Sequence, residues 1–279
     1  MRLARAGHTV LAIVRRNEPI VLRELPRVEL LRADLRALRS LAPPLDALVH
    51  CAADLPARCP DPEELRHSNV EGTRAVVTAA IAAGAQRIVY LSSMSVYGEI
   101  TVPVVTEDTP INRPDAYGQS KLEGERQLNT LCAEHAAVGA LSIRLPGVVG
   151  IGSRHNFLSG TLERILRGES VRANHPESLF NNIVHVSDLT GFIADRVSTA
   201  TRGYAVTNIA AREPIPMRRV LGLLFDAAGK RDRTEWNKGG KTPFTIAIDR
   251  VQALGYRPPT TEESLLRFAS DVMAESAVD

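Results

Sequence analysis

Three side chains between residues 91 and 121 carry groups able to move protons: the hydroxyl of Ser93, the phenol of Tyr117 and the ammonium of Lys121. Tyr117 and Lys121 are four residues apart, so on a helix they share one face. A cation beside a phenol favours the phenolate and lowers the tyrosine pKa from its usual value near ~10. That brings a proton donor and acceptor closer to working pH. Ser93 follows the apolar run Arg87-Ile88-Val89-Tyr90-Leu91, which reads as a buried strand. A serine at the carboxyl end of such a strand sits where open α/β sheets place their sites. Tyr-x-x-x-Lys alone is common on solvated helix faces. Its weight comes from the preceding stretch Leu91-Ser92-Ser93-Met94-Ser95-Val96-Tyr97-Gly98.

The elements that must position these groups are legible as alternating apolar runs and periodic segments. Short strands are expected over 9–14, 28–31, 45–50, 87–91 and 140–145, with a helix over 69–83 closed by Gly84. Pro114-Asp115 opens the helix that carries Tyr117 and Lys121. Residues 1–6 read as the end of a helix stopped at Gly7. Strands alternating with helices imply βαβ units, right-handed crossovers and a doubly wound parallel sheet. The fold class is therefore α/β, with residues 1–150 as a dinucleotide-binding-type domain and 151–279 mainly as a smaller C-terminal substrate lobe. In that lobe the pattern predicts a helix over 156–166 stopped at Gly168 and a strand over 180–184. It also predicts a helix over 187–197 capped by Ser187, a strand over 203–209, a helix over 217–228 and a loop over 230–242. A last helix opens at Thr261.

The chain has 279 residues, 44% hydrophobic and 24% charged, with a formal net charge of +2. Its 34 basic residues include only four lysines and form no basic block, which argues against a nucleic-acid partner. Cys51, Cys59 and Cys132 are an odd set without metal-ligand spacing, which argues against a disulfide framework and structural zinc and fits a reduced, cytoplasmic setting. No apolar stretch is long enough for a membrane span.

Serines at a strand end, then Val96-Tyr97-Gly98, then Tyr117-x-x-x-Lys121 together resemble the extended short-chain dehydrogenase/reductase family, which includes the NAD-dependent nucleotide-sugar epimerases and dehydratases. The resemblance implies a Rossmann-like fold in which Ser93 donates to the substrate oxygen, Tyr117 is the acid/base and Lys121 binds the ribose. It also implies a nucleotide-sugar substrate, an NAD or NADP cofactor, and a homodimer.

Further residues follow from it. Arg15-Arg16 ends the segment where arginine accommodates a 2′-phosphate, which leans towards NADP; a solvated strand end is the alternative. Asp34-Leu35 resembles the adenine-contacting pair, and Asp34 equally fits a helix cap. His50-Cys51-Ala52-Ala53 resembles the strand end where small residues such as Ala52 and Ala53 let the cofactor pass. His50 is assigned no acid/base role, and Cys51 reads as a small core residue. Asn69 matches a helix-borne asparagine that supports a water relay near the lysine, and it also fits a helix cap. Pro146 and Gly147 resemble the wall beside the nicotinamide, or a plain strand-end turn. Asn156 and Met94 are expected at the substrate. His185 and Asp188, within Val184-His185-Val186-Ser187-Asp188-Leu189, are expected to be structural.

One part of the pattern is missing. A dinucleotide fold should open with a strand and a glycine-rich turn that cradles the pyrophosphate. The only early glycine is Gly7, which ends a helix. Removing a central strand would leave its two neighbours without ladder partners. Either the start is misassigned or truncated, or the chain is a variant that has lost ordinary cofactor binding; the intact downstream signature favours the first.

The expected function is hydride transfer on a sugar nucleotide or a similar hydroxyl or keto substrate. A ketone reductase or hydroxysteroid-type dehydrogenase, or a non-catalytic relative, is the alternative. A dehydratase would pair the tyrosine with an acid near the serine. Met94 stands there instead, which favours an epimerase or reductase.

Overall fold

The structure, a computed structural model, describes residues 1–15, 20–42, 44–154 and 156–276. In chain order its elements begin α1 (Arg2–Arg5), β1 (Val10–Val14), α2 (Ile20–Arg23), β2 (Val28–Arg32), β3 (Ala47–His50), α3 (Pro62–Ala82), β4 (Arg87–Ser93), β5 (Val104–Val105) and α4 (Ala116–Glu134). They continue with β6 (Gly139–Leu145), β7 (Gly147–Val149), α5 (Phe157–Leu166), β8 (Val171–Asn174), β9 (Leu179–Phe180), β10 (Ile183–His185), α6 (Val186–Ser198) and β11 (Gly203–Asn208). The last are β12 (Ile215–Pro216), α7 (Met217–Ala227), β13 (Thr234–Asn237), β14 (Thr245–Ile246), α8 (Asp249–Ala253) and α9 (Thr261–Ser276). The chain is α/β, as expected, and its strand pairs are mostly parallel.

Two compact units result. The first comprises residues 1–98, 113–143 and 190–206; the second comprises 99–112, 144–189 and 207–279. In the first, β1 pairs with β2 in a sheet of its own, while β11, β6, β4 and β3 form another in that order. Among the described residues, β1 and β3 each therefore end a sheet. Burial follows from this. β6 is buried at its first six residues, whereas the five apolar residues of β1 are all only half-buried. The core joins Val76, Val77 and Ala79 of α3 to Ile88 and Tyr90 of β4 and to Leu128 of α4. Apolar residues recur on one face of each helix, which is what burying that face requires.

The second unit has its own core. Leu158, Leu162 and Ile165 of α5 pack with Leu224 and Phe225 of α7 and with Phe268 of α9.

Four expectations change. The helix predicted from Asn69 starts at Pro62, because Asp61 caps it by accepting from the Glu63 N–H at 2.9 Å and Pro62 needs no donor in the first turn. Asn69 is thus a mid-helix residue and not a cap. The strand predicted over 180–184 is broken at Asn181, whose side chain donates to the Ala211 and Ile246 carbonyls and accepts from the Ile246 N–H. The loop predicted over 230–242 contains β13, paired with β8. Ser187 does not cap α6; it lies inside the first turn, held by His185 Nδ1 at 2.8 Å. His185 also meets Asp271 at 3.0 Å, and Arg267 pairs with Asp188 at 2.9 Å, so both motif residues sit in a structural network.

Candidate active site

Asp115 starts α4 by accepting from the Gly118 N–H at 2.7 Å, which places Tyr117 in the first turn and Lys121 one turn on. Ser93 is the last residue of β4, and its Oγ accepts from the Ser95 N–H at 3.1 Å, starting the 3-10 turn Met94–Tyr97. Gly98, at φ +67°, ends that turn in a conformation other residues resist. A Cβ on Gly118 would run into the Ser95 carbonyl oxygen. The helix bearing Tyr117 therefore rests directly on the turn that follows Ser93, and the three expected groups belong to two elements in contact.

Lys121 is 2% exposed, and its ammonium stands 4.5 Å from the centre of the Tyr90 ring. Tyr90 stacks on His50 with ring centres 5.4 Å apart. Burial lowers the Lys121 pKa to about 8, against the opposing fields of Cys51 and Glu125. Burial chiefly, with Lys121 second, holds His50 down to about 3. The imidazole is bonded to Thr73 Oγ1 at 2.9 Å.

Tyr117 departs from the expected direction. Burial first, and the Asp115 carboxylate second, push its phenol above the ordinary tyrosine value. Cys51 departs as well: it is exposed at the end of β3 and is not a core residue.

Six of the expected cofactor residues, Arg15, Asp34, Leu35, Ala52, Ala53 and Asn69, line one cavity of about 760 Å³ in the first unit. It lies at the carboxyl ends of β1, β2 and β3, where open α/β sheets bind ligands. Asp34 caps the 3-10 turn Leu35–Ala37 and also lines the cavity. Asn69 donates to Ser120 Oγ at 3.0 Å and to the Asp54 carbonyl at 3.1 Å, and it accepts from the Asp54 N–H at 2.6 Å. Ser120 in turn donates to the Tyr117 carbonyl at 2.8 Å. Asn69 thus ties the cavity floor to the helix of Tyr117.

Asp54 is the cavity residue that sequence reasoning passed over. Its carboxylate takes both guanidinium branches of Arg15, at 2.6 and 2.8 Å, and the Ser68 hydroxyl at 2.6 Å. Its place directly after Ala52-Ala53 was the available signal. Arg16 lies outside the described residues.

Two expected residues fall in the second unit. Asn156 caps α5 by accepting from the Ser159 N–H at 2.9 Å and donates to the Val148 carbonyl at 3.1 Å. It lines a second cavity, about 630 Å³, with Phe157, Arg172, His175 and Asn182. His175 Nε2 and Asn182 Oδ1 are buried there without a hydrogen-bond partner among the described residues. Pro146 lies half-buried between β6 and β7 and lines neither cavity.

A profile of the NAD dependent epimerase/dehydratase family matches residues 1–209. The chain belongs to that family. Among its relatives, the protein named uncharacterized protein y4nG of Sinorhizobium fredii (strain NBRC 101917 / NGR234) is 28% identical over 247 residues, covering 86% of this chain and 60% of its own length. This chain therefore spans about three-fifths of that relative. The UDP-glucose 4-epimerase of Vibrio cholerae is 28% identical over 250 residues, covering 77% of this chain and 72% of its own. The structure of MoeE5 in complex with UDP-glucose and NAD superposes with a TM-score of 0.81 at 26% identity, covering 99% of this chain and 94% of that one. The Rossmann-like architecture of the epimerase/dehydratase family is thus present here.

Proposed function

We propose that the chain supplies the active site of an NAD(P)-dependent epimerase or reductase acting on a nucleotide sugar. The observation that carries this is the seating of the Tyr117 helix on the turn after Ser93, with a buried Lys121 one turn further on. Support comes from a family whose relatives include a UDP-glucose 4-epimerase and a structural neighbour holding UDP-glucose and NAD.

The residues present fit the adenosine end of a dinucleotide. Asp34 and Leu35 line the cavity beside Arg15, and Ala52 and Ala53 leave room for close passage. Residues 1–71 contain no glycine-rich phosphate cradle, since Gly7 is their only glycine. A bound nicotinamide takes and returns a hydride. On the protein side, Ser93 holds the substrate oxygen, Tyr117 takes or gives its proton, and Lys121 supplies the positive field and holds the ribose. Asn156, in its own cavity, is assigned to the substrate, with Met94 beside Ser93; Pro146 is assigned to the nicotinamide wall. Met94 in place of an acid favours an epimerase or reductase over a dehydratase.

The lean towards NADP is weaker than Arg15 alone implies, because Asp54 already neutralises that guanidinium. A homodimer is the expected assembly, checked by light scattering. A non-catalytic relative is the second reading. Fluorescence titration with NADH and NADPH separates the two. Quenching of the chain, or of a version extended upstream at the gene, supports the enzyme; failure of both contradicts it.

A further inference from the structure

Glu125 lies one helical turn beyond Lys121 on α4 and is 4% exposed. The proposed reaction makes no use of it. A carboxylate is not buried at this depth without partners. One partner is the Ser92 hydroxyl, which donates to Glu125 Oε1 at 2.6 Å. Successive strand residues face opposite sides of a sheet. β4 thus turns Ser92 towards the carboxylate and leaves Ser93, its neighbour, for the other face.

Tyr90 packs against the same stretch of α4. Its hydroxyl comes so close to α4 that a Cβ on Gly124 would collide with it, and its ring is the surface over which the Lys121 ammonium stands. Among the described residues, the other titratable groups acting on the ammonium are His50 and Cys51 from the β3 side, and Tyr117 lies one turn earlier on α4. His50 is held neutral. From α3, Arg66 is engaged at the surface by Glu123, at 2.9 Å.

The geometry points to Glu125 as the positioning residue of this site: clamped by Ser92, it is the buried counter-charge that keeps Lys121 an ammonium over Tyr90. Its field opposes the burial that lowers the lysine pKa to about 8. Without it, Cys51 is left as the other group opposing burial, and Lys121 loses its proton at lower pH. This rests on reading Lys121 as the cation of the site.

The test is direct because the chain has only four lysines and Lys230, Lys238 and Lys241 are exposed. The chain is labelled with 13Cε-lysine and titrated by NMR with no cofactor or substrate added. One resonance, Lys121, should titrate well below the other three. In Glu125→Gln its midpoint should fall by about one unit or more, the size of shift a nearby counter-charge commands. Glu125→Asp should keep it near the wild-type position. A smaller shift in Glu125→Gln overturns the proposal. A merely structural glutamate would lower the melting temperature and leave the lysine midpoint in place.

If Glu125→Gln does not fold, the double variant Lys121→Met, Glu125→Gln decides. Removing both charges should restore folding, since the damage comes from an uncompensated buried ammonium; no rescue overturns the proposal. The readout needs no turnover. An inactive chain with the expected titration would refute the enzyme reading alone, and an active one with an unmoved midpoint would refute this one alone.

Discussion

At the scale of single residues, Asp54 decides what the cavity of the first unit can recognise. Arg15 is the one described arginine of the expected phosphate-binding pair, and Asp54 holds it through two hydrogen bonds. A guanidinium so held offers little to a second anion. Asp54→Asn keeps the size and removes the charge, so it should strengthen NADPH binding relative to NADH by roughly tenfold, equivalent to ~1.4 kcal/mol. Calorimetric titration with both nucleotides measures the ratio; an unchanged ratio removes Arg15 from cofactor choice. The closeness of the Ser93 and Tyr117 elements could be expected from the sequence, because Leu91–Gly98 and Tyr117-x-x-x-Lys121 together resemble a family pattern. The direction of the Tyr117 shift could not. It follows from the burial of the phenol, with Asp115 second, and burial is set by packing and not by spacing along the helix.

At the scale of elements, two helix glycines fix how α4 lies on β4 and the turn after it. A Gly-to-Ala change in a helix interior ordinarily gains up to ~1 kcal/mol. At Gly118 the new Cβ would meet the Ser95 backbone, and at Gly124 it would meet the buried Tyr90 hydroxyl. Neither neighbour is a flexible side-chain end, so overpacking, typically ~1–3 kcal/mol, should win. Both Gly118→Ala and Gly124→Ala should lower stability in urea denaturation, and Gly118→Ala should also lower turnover by moving Tyr117. A stabilised Gly118→Ala would mean that the helix does not rest on that turn.

The same elements show where sequence patterns run out. The strands expected over 9–14 and 87–91 were readable from apolar runs, and the helix opening at Pro114-Asp115 from its first-turn proline. The first turns of α3 were not, because residues 62–68 are mostly polar and their order comes from the Asp61 cap. β13 was hidden for a similar reason: Thr234–Asn237 has little apolar pattern, and its strand character comes from pairing with β8, more than 60 residues earlier.

At the scale of the whole molecule, buried ionisable groups set the response to pH. The folded-state pKa of His50 is lowered from 6.5 to about 3. Between those values the unfolded chain binds a proton that the folded chain refuses, so stability is lost as pH falls through that window. At ~1.36 kcal/mol per unit, His50 should remove about 2 kcal/mol by pH 5. Lys121 acts at the other end. Its pKa, lowered from 10.5 to about 8, makes stability rise as pH increases between those values. Urea denaturation at pH 7 and pH 5 checks the acid limb: His50→Gln should flatten it, and an equally steep loss in that variant would assign it to other groups. Family membership spans residues 1–209, and the sheet of the first unit is split between β1 and β3, the two strands that were expected to lack a ladder partner.

The most direct measurement compares wild type with Tyr117→Phe, assaying turnover of a UDP-sugar and the dissociation constant for NADH on the same preparations. Loss of general acid–base catalysis should lower kcat by roughly 10²–10⁴-fold, with the NADH constant within about twofold. Equal turnover in the two proteins would contradict the account.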